Sequence, residues 1–416
     1  MTVPLALYRL ATGLAEPLAP ALLKGRAKRG KEDAARLAER LGRAGAARPA
    51  GPVVWLHGVS VGESLSLVPL VEALQARRPD ATLLVTSGTV TSAEVLAGRL
   101  PAGAVHQFAP VDAPGAVGRF LDHWRPDLGV FVESELWPNL IQAAKARGVR
   151  LALLSARMTE GSARGWARAP ASARALLSAF DLVMPQDAAT AARLARLGAT
   201  VGPALNLKHI GGRLPFDPAE LADLRSRTQG RPVVVAVSTH PGEERLIAES
   251  APGGLLLAIA PRHPERADEI AAQLAGARPG DIARRSRGEP VSPRTGVYLV
   301  DTLGELGVFL ELADVVVMGG GFAPGVGGHN PLEPARHGKP IVTGPEVFNA
   351  ADVYAAMFAE GAAIEARDGA ALARHLQGLL TYPHIARRMG EAAQAYAERQ
   401  GAALDGTLAL IEPLLP

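Results

Sequence analysis

Beyond residue 52 the chain alternates short apolar runs with stretches of helical spacing. Val53–His57, Thr82–Thr86, Gly129–Val132, Arg150–Leu154 and Leu182–Met184 are near-continuous runs of Val, Leu and Ala. Strands buried on both faces of a parallel sheet read this way, because neither side meets water. The stretches between them, such as Ser64–Arg77 and Ser92–Leu100, predict helices. Strand and helix in alternation predict a doubly wound α/β domain. The pattern breaks across Leu205–Gly230, where Gly211, Gly212, Pro215 and Pro218 gather with several charges. A second series then begins: Pro232–Val237, Leu255–Ala260, Val297–Val300, Asp314–Met318 and Pro340–Val342. Arg278–Arg294, rich in Arg, Gly and Pro, predicts a surface loop, and the Ala-rich tail from Tyr382 predicts a helix.

A chain of 416 residues is too long for one ordinary core. The expected organisation is an N-terminal segment over 1–48, one Rossmann-like domain over 49–208, a linker over 209–230, a second Rossmann-like domain over 231–385 and a C-terminal helix over 386–416. Two such halves facing each other predict a ligand in the cleft, outside the carboxyl ends of the strands.

The first residues need a separate reading. Val3–Leu23 is apolar in character but contains Arg9, Glu16 and Pro4, Pro17 and Pro20. That makes a poor bilayer span. The basic run Lys24, Arg26, Lys28, Arg29 and Lys31 follows the apolar stretch, the reverse of a signal peptide's order. Apolar then basic fits an interfacial anchor on an anionic leaflet, the alternative being an amphipathic helix packed on its own domain. A hydrophobic content of 48% with 20% charged residues excludes a disordered chain. A net charge of +3, with no aromatic-plus-basic motif, gives no ground for nucleic acid. The absence of Cys excludes disulfides, zinc–thiolate sites and a thiol nucleophile, and no clustered metal-ligand spacing appears.

Candidate chemistry lies where predicted strands end. Ser60-Val61-Gly62-Glu63 follows the first strand and opens a helix. Glu63 is there either as a first-turn charge favoured by the helix dipole or as a general base. Glu133-Ser134-Glu135-Leu136-Trp137-Pro138-Asn139 follows Gly129–Val132. Two carboxylates and a Trp at a strand's carboxyl end are unusual for a helix cap alone; Glu133 leaves the strand first and is the better candidate, the plain alternative being Glu135 as a first-turn helix charge and Trp137 as core. Lys208 in Asn206-Leu207-Lys208 is either solvated or a cation for an anionic substrate. Ser238-Thr239-His240-Pro241-Gly242-Glu243-Glu244 offers N–H and O–H groups to an anion, or a plain helix cap. Pro261-Arg262-His263-Pro264-Glu265 fixes an Arg beside a His, and Arg binds phosphate in bidentate fashion. In Asp301–Leu306, Gly304 permits close backbone approach. The most specific signal is Gly319-Gly320-Gly321-Phe322 with Gly327-Gly328-His329-Asn330-Pro331-Leu332-Glu333-Pro334. Its glycines admit a phosphate or sugar, the helix start after Gly328 faces an anion, and Glu333 is placed to accept from ribose hydroxyls. No Gly-Lys-Ser/Thr follows, so this is not a P-loop.

In this order, over nearly the whole chain to about Val353, the motifs resemble those of the 3-deoxy-D-manno-octulosonic acid (Kdo) transferase family of lipopolysaccharide synthesis. Gly344-Pro345 with Asn349 follows at the family's distance. The resemblance implies a GT-B fold of two Rossmann-like domains around a central cleft, CMP-Kdo as donor and a lipid A precursor as acceptor. It implies Glu63 as the base that deprotonates the acceptor, with Glu133 and Lys208 supporting the transition state. Pro261, Arg262, Leu303, Gly304, Glu305, Asn330, Pro331, Leu332 and Glu333 would hold CMP. Ser238, His263, Gly327, Gly328 and Asn349 are expected to complete that donor site. Catalysis would invert the anomeric centre without metal or other cofactor, at the cytoplasmic face of the inner membrane. Departures from the family pattern are Leu205 where Gly is common, Ser155-Ala156-Arg157 for Asn-Ala-Arg, the continuation Met158-Thr159, and a short segment between Glu244 and Leu255. None touches Glu63, Arg262 or Glu333. Rival readings are a GT-B transferase or epimerase acting on another nucleotide sugar, and a non-catalytic membrane-surface protein of the same fold.

Overall fold

The computed structural model describes residues 2–277 and 280–416, so Arg278 and Pro279 of the expected surface loop lie outside the described residues. The chain divides into two compact units, one running to Gly211 and including Ala402–Pro416, the other Gly212–Gly401.

In the first unit six parallel strands form one sheet: β1 (Val53–His57), β2 (Thr82–Ser87), β3 (Val105–Phe108), β4 (Leu128–Val132), β5 (Arg150–Ala156) and β6 (Leu182–Pro185). Their order is β3-β2-β1-β4-β5-β6. All of β1 is buried, as the unbroken apolar runs require. Leu67, Leu70, Val71 and Leu74 of the helix Val61–Arg77 cover one face. Phe120, Leu121 and Trp124 cover the other. β3 escapes an apolar-run search because it carries His106 and Gln107. His106 meets Ser87 at 2.9 Å, and the Gln107 side-chain oxygen accepts from Trp124 Nε1 at 2.7 Å.

The second unit holds seven parallel strands: β7 (Val233–Thr239), β8 (Leu256–Pro261), β9 (Asp281–Arg284), β10 (Thr295–Leu299), β11 (Val315–Met318), β12 (Ile341–Thr343) and β13 (Ala363–Glu365). They lie in the order β13-β12-β11-β7-β8-β10-β9. β9 falls inside the stretch expected to be loop. Its polar ends suit an edge strand, and only Ala283 of its four residues is buried.

Two expected boundaries change. The stretch 209–230 is not a linker throughout, since Pro218–Thr228 is a helix of the second unit. Asp217 Oδ1 accepts from Ala219 N at 2.8 Å and Pro218 fills the first helical position. The Asp-Pro pair that reads as a chain breaker is here a helix start, and Leu221 and Leu224 anchor the helix in the core. The last long helix spans Pro383–Ile411 rather than starting at 386. Its final residues belong to the first unit, where Leu408 and Ile411 are buried.

At the N-terminus, Val3–Ala15 and Ala19–Ala27 are separate helices. Among the described residues no helix is long and apolar enough to cross a membrane. Leu5 and Leu23 pack inward, while Val3, Leu7, Leu10, Leu14, Leu18 and Leu22 are exposed.

Candidate functional site

In each sheet the chain reverses its direction of winding beside one central strand. Loops leaving the carboxyl ends of the two strands at such a switch point diverge and leave a crevice. In the first sheet the pair is β1 and β4, with His57 in register with Phe131. The loops leaving them are Ser60–Glu63 and Glu133–Asn139. In the second sheet the pair is β7 and β11, with Val237 opposite Met318. The loops leaving them are Ser238–Glu244 and the glycine stretch from Gly319. Four of the predicted motifs thus occupy the two switch points.

At the first switch point Ser60 caps the helix Val61–Arg77 in a capping box. Glu63 Oε2 accepts from Val59 N at 2.7 Å and Ser60 N at 3.2 Å, and Oε1 has no partner among the described residues. Glu133 turns the chain with φ 57°, in the left-handed region, and is almost buried. Its carboxylate pairs with Lys208 Nζ at 2.6 Å. Lys208 sits in the short turn Leu207–His209, capped by Asn206 Oδ1, which accepts from Lys208 N at 3.1 Å. Ser155, where the family pattern has Asn, accepts from Leu207 N at 3.4 Å and so touches the same turn. Lys208 is therefore both exposed and ion-paired.

Glu135 belongs to this group, contrary to its reading as a helix-end charge. The helix starts later, at Pro138. Trp137, expected in the core, is 39% exposed and donates its indole N–H to Glu135 Oε2. Burial, with the negative charges of Glu63 and Glu133 adding to it, pushes the Glu135 carboxyl up to about 7, against the opposing Trp137 bond. Beneath it His57, 1% exposed, holds Nδ1 against Thr86 Oγ1 at 2.9 Å. Burial, helped by the charge of Arg40, lowers His57 to about 3, so the ring is neutral. Asp112 fixes the far end of the motif: its carboxylate accepts from Asn139 N and Leu140 N and from the hydroxyl of Tyr8.

At the second switch point Glu243 is the organising group. Its buried carboxylate accepts from His240 N at 2.8 Å, Gly320 N at 2.7 Å and Phe322 N at 2.8 Å. This ties the turn after β7 to the glycine loop after β11. Gly319 passes so close to β7 that a Cβ there would lie 2.4 Å from the carbonyl oxygen of Ser238. The loop's other end is held by Asn349, whose Nδ2 donates to Val326 O at 2.6 Å. His240 and His329 stack with their Nε2 atoms 2.8 Å apart. Burial, with the charges of His240 and Arg262, lowers His329 to about 4. Arg262 and His263 leave the end of β8 exposed, and no side-chain partner holds the Arg262 guanidinium among the described residues. Asn330 Oδ1 accepts from Leu332 N at 3.1 Å. The helix that follows, Leu332–Arg336, has only five residues, so the expected dipole there is small. Glu333 is half-buried, and burial raises its carboxyl against the pull of Arg336 and Arg262.

Leu303–Glu305 follows β10, which lies beside β8 in the same sheet. Leu303 is 83% exposed, Gly304 has φ 86°, and Glu305 is bound by Arg285 at 2.6 Å and by Thr302. Glu135, His57, Glu243 and His240 were absent from the expected site. A signal existed for the first two: a second acid two residues after Glu133, and a polar residue closing an apolar strand.

A family model described as 3-deoxy-D-manno-octulosonic-acid transferase (kdotransferase) matches residues 35–210. The chain is 38% identical to the 3-deoxy-D-manno-octulosonic acid transferase of Bordetella pertussis, over 90% of this chain and 91% of that one. It is 36% identical to the probable mitochondrial 3-deoxy-D-manno-octulosonic acid transferase of Arabidopsis thaliana, over 84% and 82%. Among solved structures, a glycosyltransferase from Rickettsia africae is similar with a TM-score of 0.60, covering 88% of this chain and 99% of that one at 10% identity. At that identity the likeness is one of fold.

Proposed function

The chain belongs to the Kdo transferase family of GT-B glycosyltransferases, and from that premise we propose that it moves Kdo from CMP-Kdo to a lipid A precursor with inversion at the anomeric carbon. The observation that carries the reading is the gathering of Glu63, Glu133 and Lys208 at the β1–β4 switch point. Glu63 acts as the general base through its open Oε1, its other oxygen being fixed by the capping box. The buried Glu133 holds the Lys208 ammonium, which offsets negative charge as the transition state forms. In the second unit the glycine loop held by Glu243, with Ser238, Arg262, His263, Asn330 and Glu333, takes the nucleotide. Pro261 fixes the entry to Arg262, and Leu303–Glu305 receives the base at its exposed turn. As the bond to phosphate breaks, the sugar gains oxocarbenium character, and Arg262 stabilises the departing phosphate. The reading assigns no metal or other cofactor: these side chains supply the charge.

The stripe Val3, Leu7, Leu10, Leu14, Leu18 and Leu22 supports docking on a membrane surface. The basic residues after it suit an anionic leaflet, which is the cytoplasmic face of the inner membrane in this reading. The test is turnover of CMP-Kdo with a lipid A precursor, with products counted by mass. Glu63→Ala is expected to lower turnover by 10²–10⁴-fold, the usual worth of a general base, while CMP affinity stays within about twofold. Lost CMP binding with retained turnover refutes the assignment.

A further inference from the structure

Glu135 is the group at the β1–β4 switch point that the reading above leaves unused. Both of its fixed neighbours lie on one oxygen. Trp137 donates to Oε2, and His57 Nε2 stands 4.0 Å from the same atom. Oε1 has no partner among the described residues.

His57 is held in place by the bonds behind it. The Trp55 indole N–H can only donate, and it meets Thr86 Oγ1 at 2.8 Å. The same hydroxyl lies 2.9 Å from His57 Nδ1 and holds the ring from behind. The buried Nε2 has no hydrogen-bond partner among the described residues and faces Glu135 Oε2 across 4.0 Å.

We propose that Glu135 is a second proton-handling carboxylate of the transfer reaction: it takes on, through Oε1, the proton that Glu63 removes from the acceptor hydroxyl, and releases it to solvent. This rests on the transferase reading above. The balance is simple. The acceptor oxygen's electron pair forms the bond to the anomeric carbon, and the bond from that carbon to the phosphate oxygen breaks with its pair leaving on CMP. The acceptor's proton goes to Glu63 and then to ionised Glu135, which restores Glu63 for the next turnover. His57 from β1 stands 4.0 Å from Glu135, and the charges of Glu63, from the helix Val61–Arg77, and of Glu133, itself paired with Lys208, act on it. A carboxyl titrating near 7 suits this step, since proton transfer is most effective when donor and acceptor lie near the working pH.

Because Glu135 must be ionised to accept, wild-type kcat is expected to rise about tenfold per pH unit below 7 and to level off above it. Glu135→Gln keeps an oxygen for the Trp137 bond. It is expected to lose that limb and to lower kcat about 10²-fold with KM within twofold. Trp137→Phe keeps Glu135 but removes the bond that favours its ionised form, so the limb should move to higher pH. An active wild type whose limb is unmoved by both variants overturns the role of Glu135 alone. A folded wild type that binds CMP but turns over no CMP-Kdo overturns the transferase reading and this inference with it.

Discussion

Replacing Glu243 tests whether one buried carboxylate builds the donor-side crevice. Glu243→Ala removes an acceptor from three backbone donors, His240 N, Gly320 N and Phe322 N. Hydrogen bonds to a charged group contribute about 1.5–3 kcal/mol each, and three of them on a 1% exposed residue give an additive upper limit of about 5–9 kcal/mol. Loop relaxation and water entry bring such losses down, so the expected cost is about 3–5 kcal/mol, the range of severe core changes. Glu243→Gln is milder. If the amide oxygen takes the position that accepts from Gly320 and His240, the NH₂ group faces the Phe322 N–H. One bond is then lost and two donors oppose each other, for about 2–3 kcal/mol. Urea unfolding should therefore rank wild type, Gln and Ala in that order. CMP titration should show affinity falling in the same order, because Glu243 itself lies behind the loop rather than in the crevice. An Ala variant within 1 kcal/mol of wild type, or one binding CMP unchanged, refutes the idea that this clamp shapes the site.

Two other outcomes follow from particular residues. Leu7→Glu with Leu14→Glu removes two exposed leucines of the N-terminal stripe, each worth about 1.5–3 kcal/mol when fully buried. Sedimentation with vesicles containing anionic lipid should show at least a tenfold weaker partition, and unchanged binding removes the stripe from any membrane role. His57 titrates near 3 when folded against 6.5 for the free side chain. The unfolded chain therefore binds the extra proton below pH 6.5, and the stability from a neutral His57 is full above that pH and lost as pH falls toward 3. The slope is about 1.4 kcal/mol per pH unit. Between pH 6.5 and 5, wild type should lose about 2 kcal/mol more than His57→Phe in urea unfolding, and parallel losses would refute the buried neutral ring.

Much of the fold was legible because the signal was redundant. A run such as Val53–His57, apolar at every position but the last, has few alternatives to a buried parallel strand. Where a strand mixed polar residues, as in β3 and β9, the run vanished although the pairing did not. His106 is met by Ser87 and the Gln107 oxygen by Trp124, and neither partner is near in sequence. The missed helix Pro218–Thr228 shows the opposite ambiguity: Asp-Pro stops one element and starts another with the same chemistry.

The site was legible in its parts but not in its adjacency. Motifs at strand ends can be found by position, yet only the strand order decides which of them share a crevice. Glu63 and Glu133 meet because β1 pairs with β4, skipping two intervening strands. The same adjacency brings their charges to bear on Glu135, where they add to burial in raising its carboxyl. Nor did the choice between helix cap and catalytic base for Glu63 need to be exclusive. A carboxylate has two oxygens, and here one is committed to Val59 N and Ser60 N while the other stays open. Fixing Oε2 removes the side-chain freedom that a base would otherwise lose on reaching its substrate, so the capping bond that makes the residue look structural is consistent with the base role proposed for it.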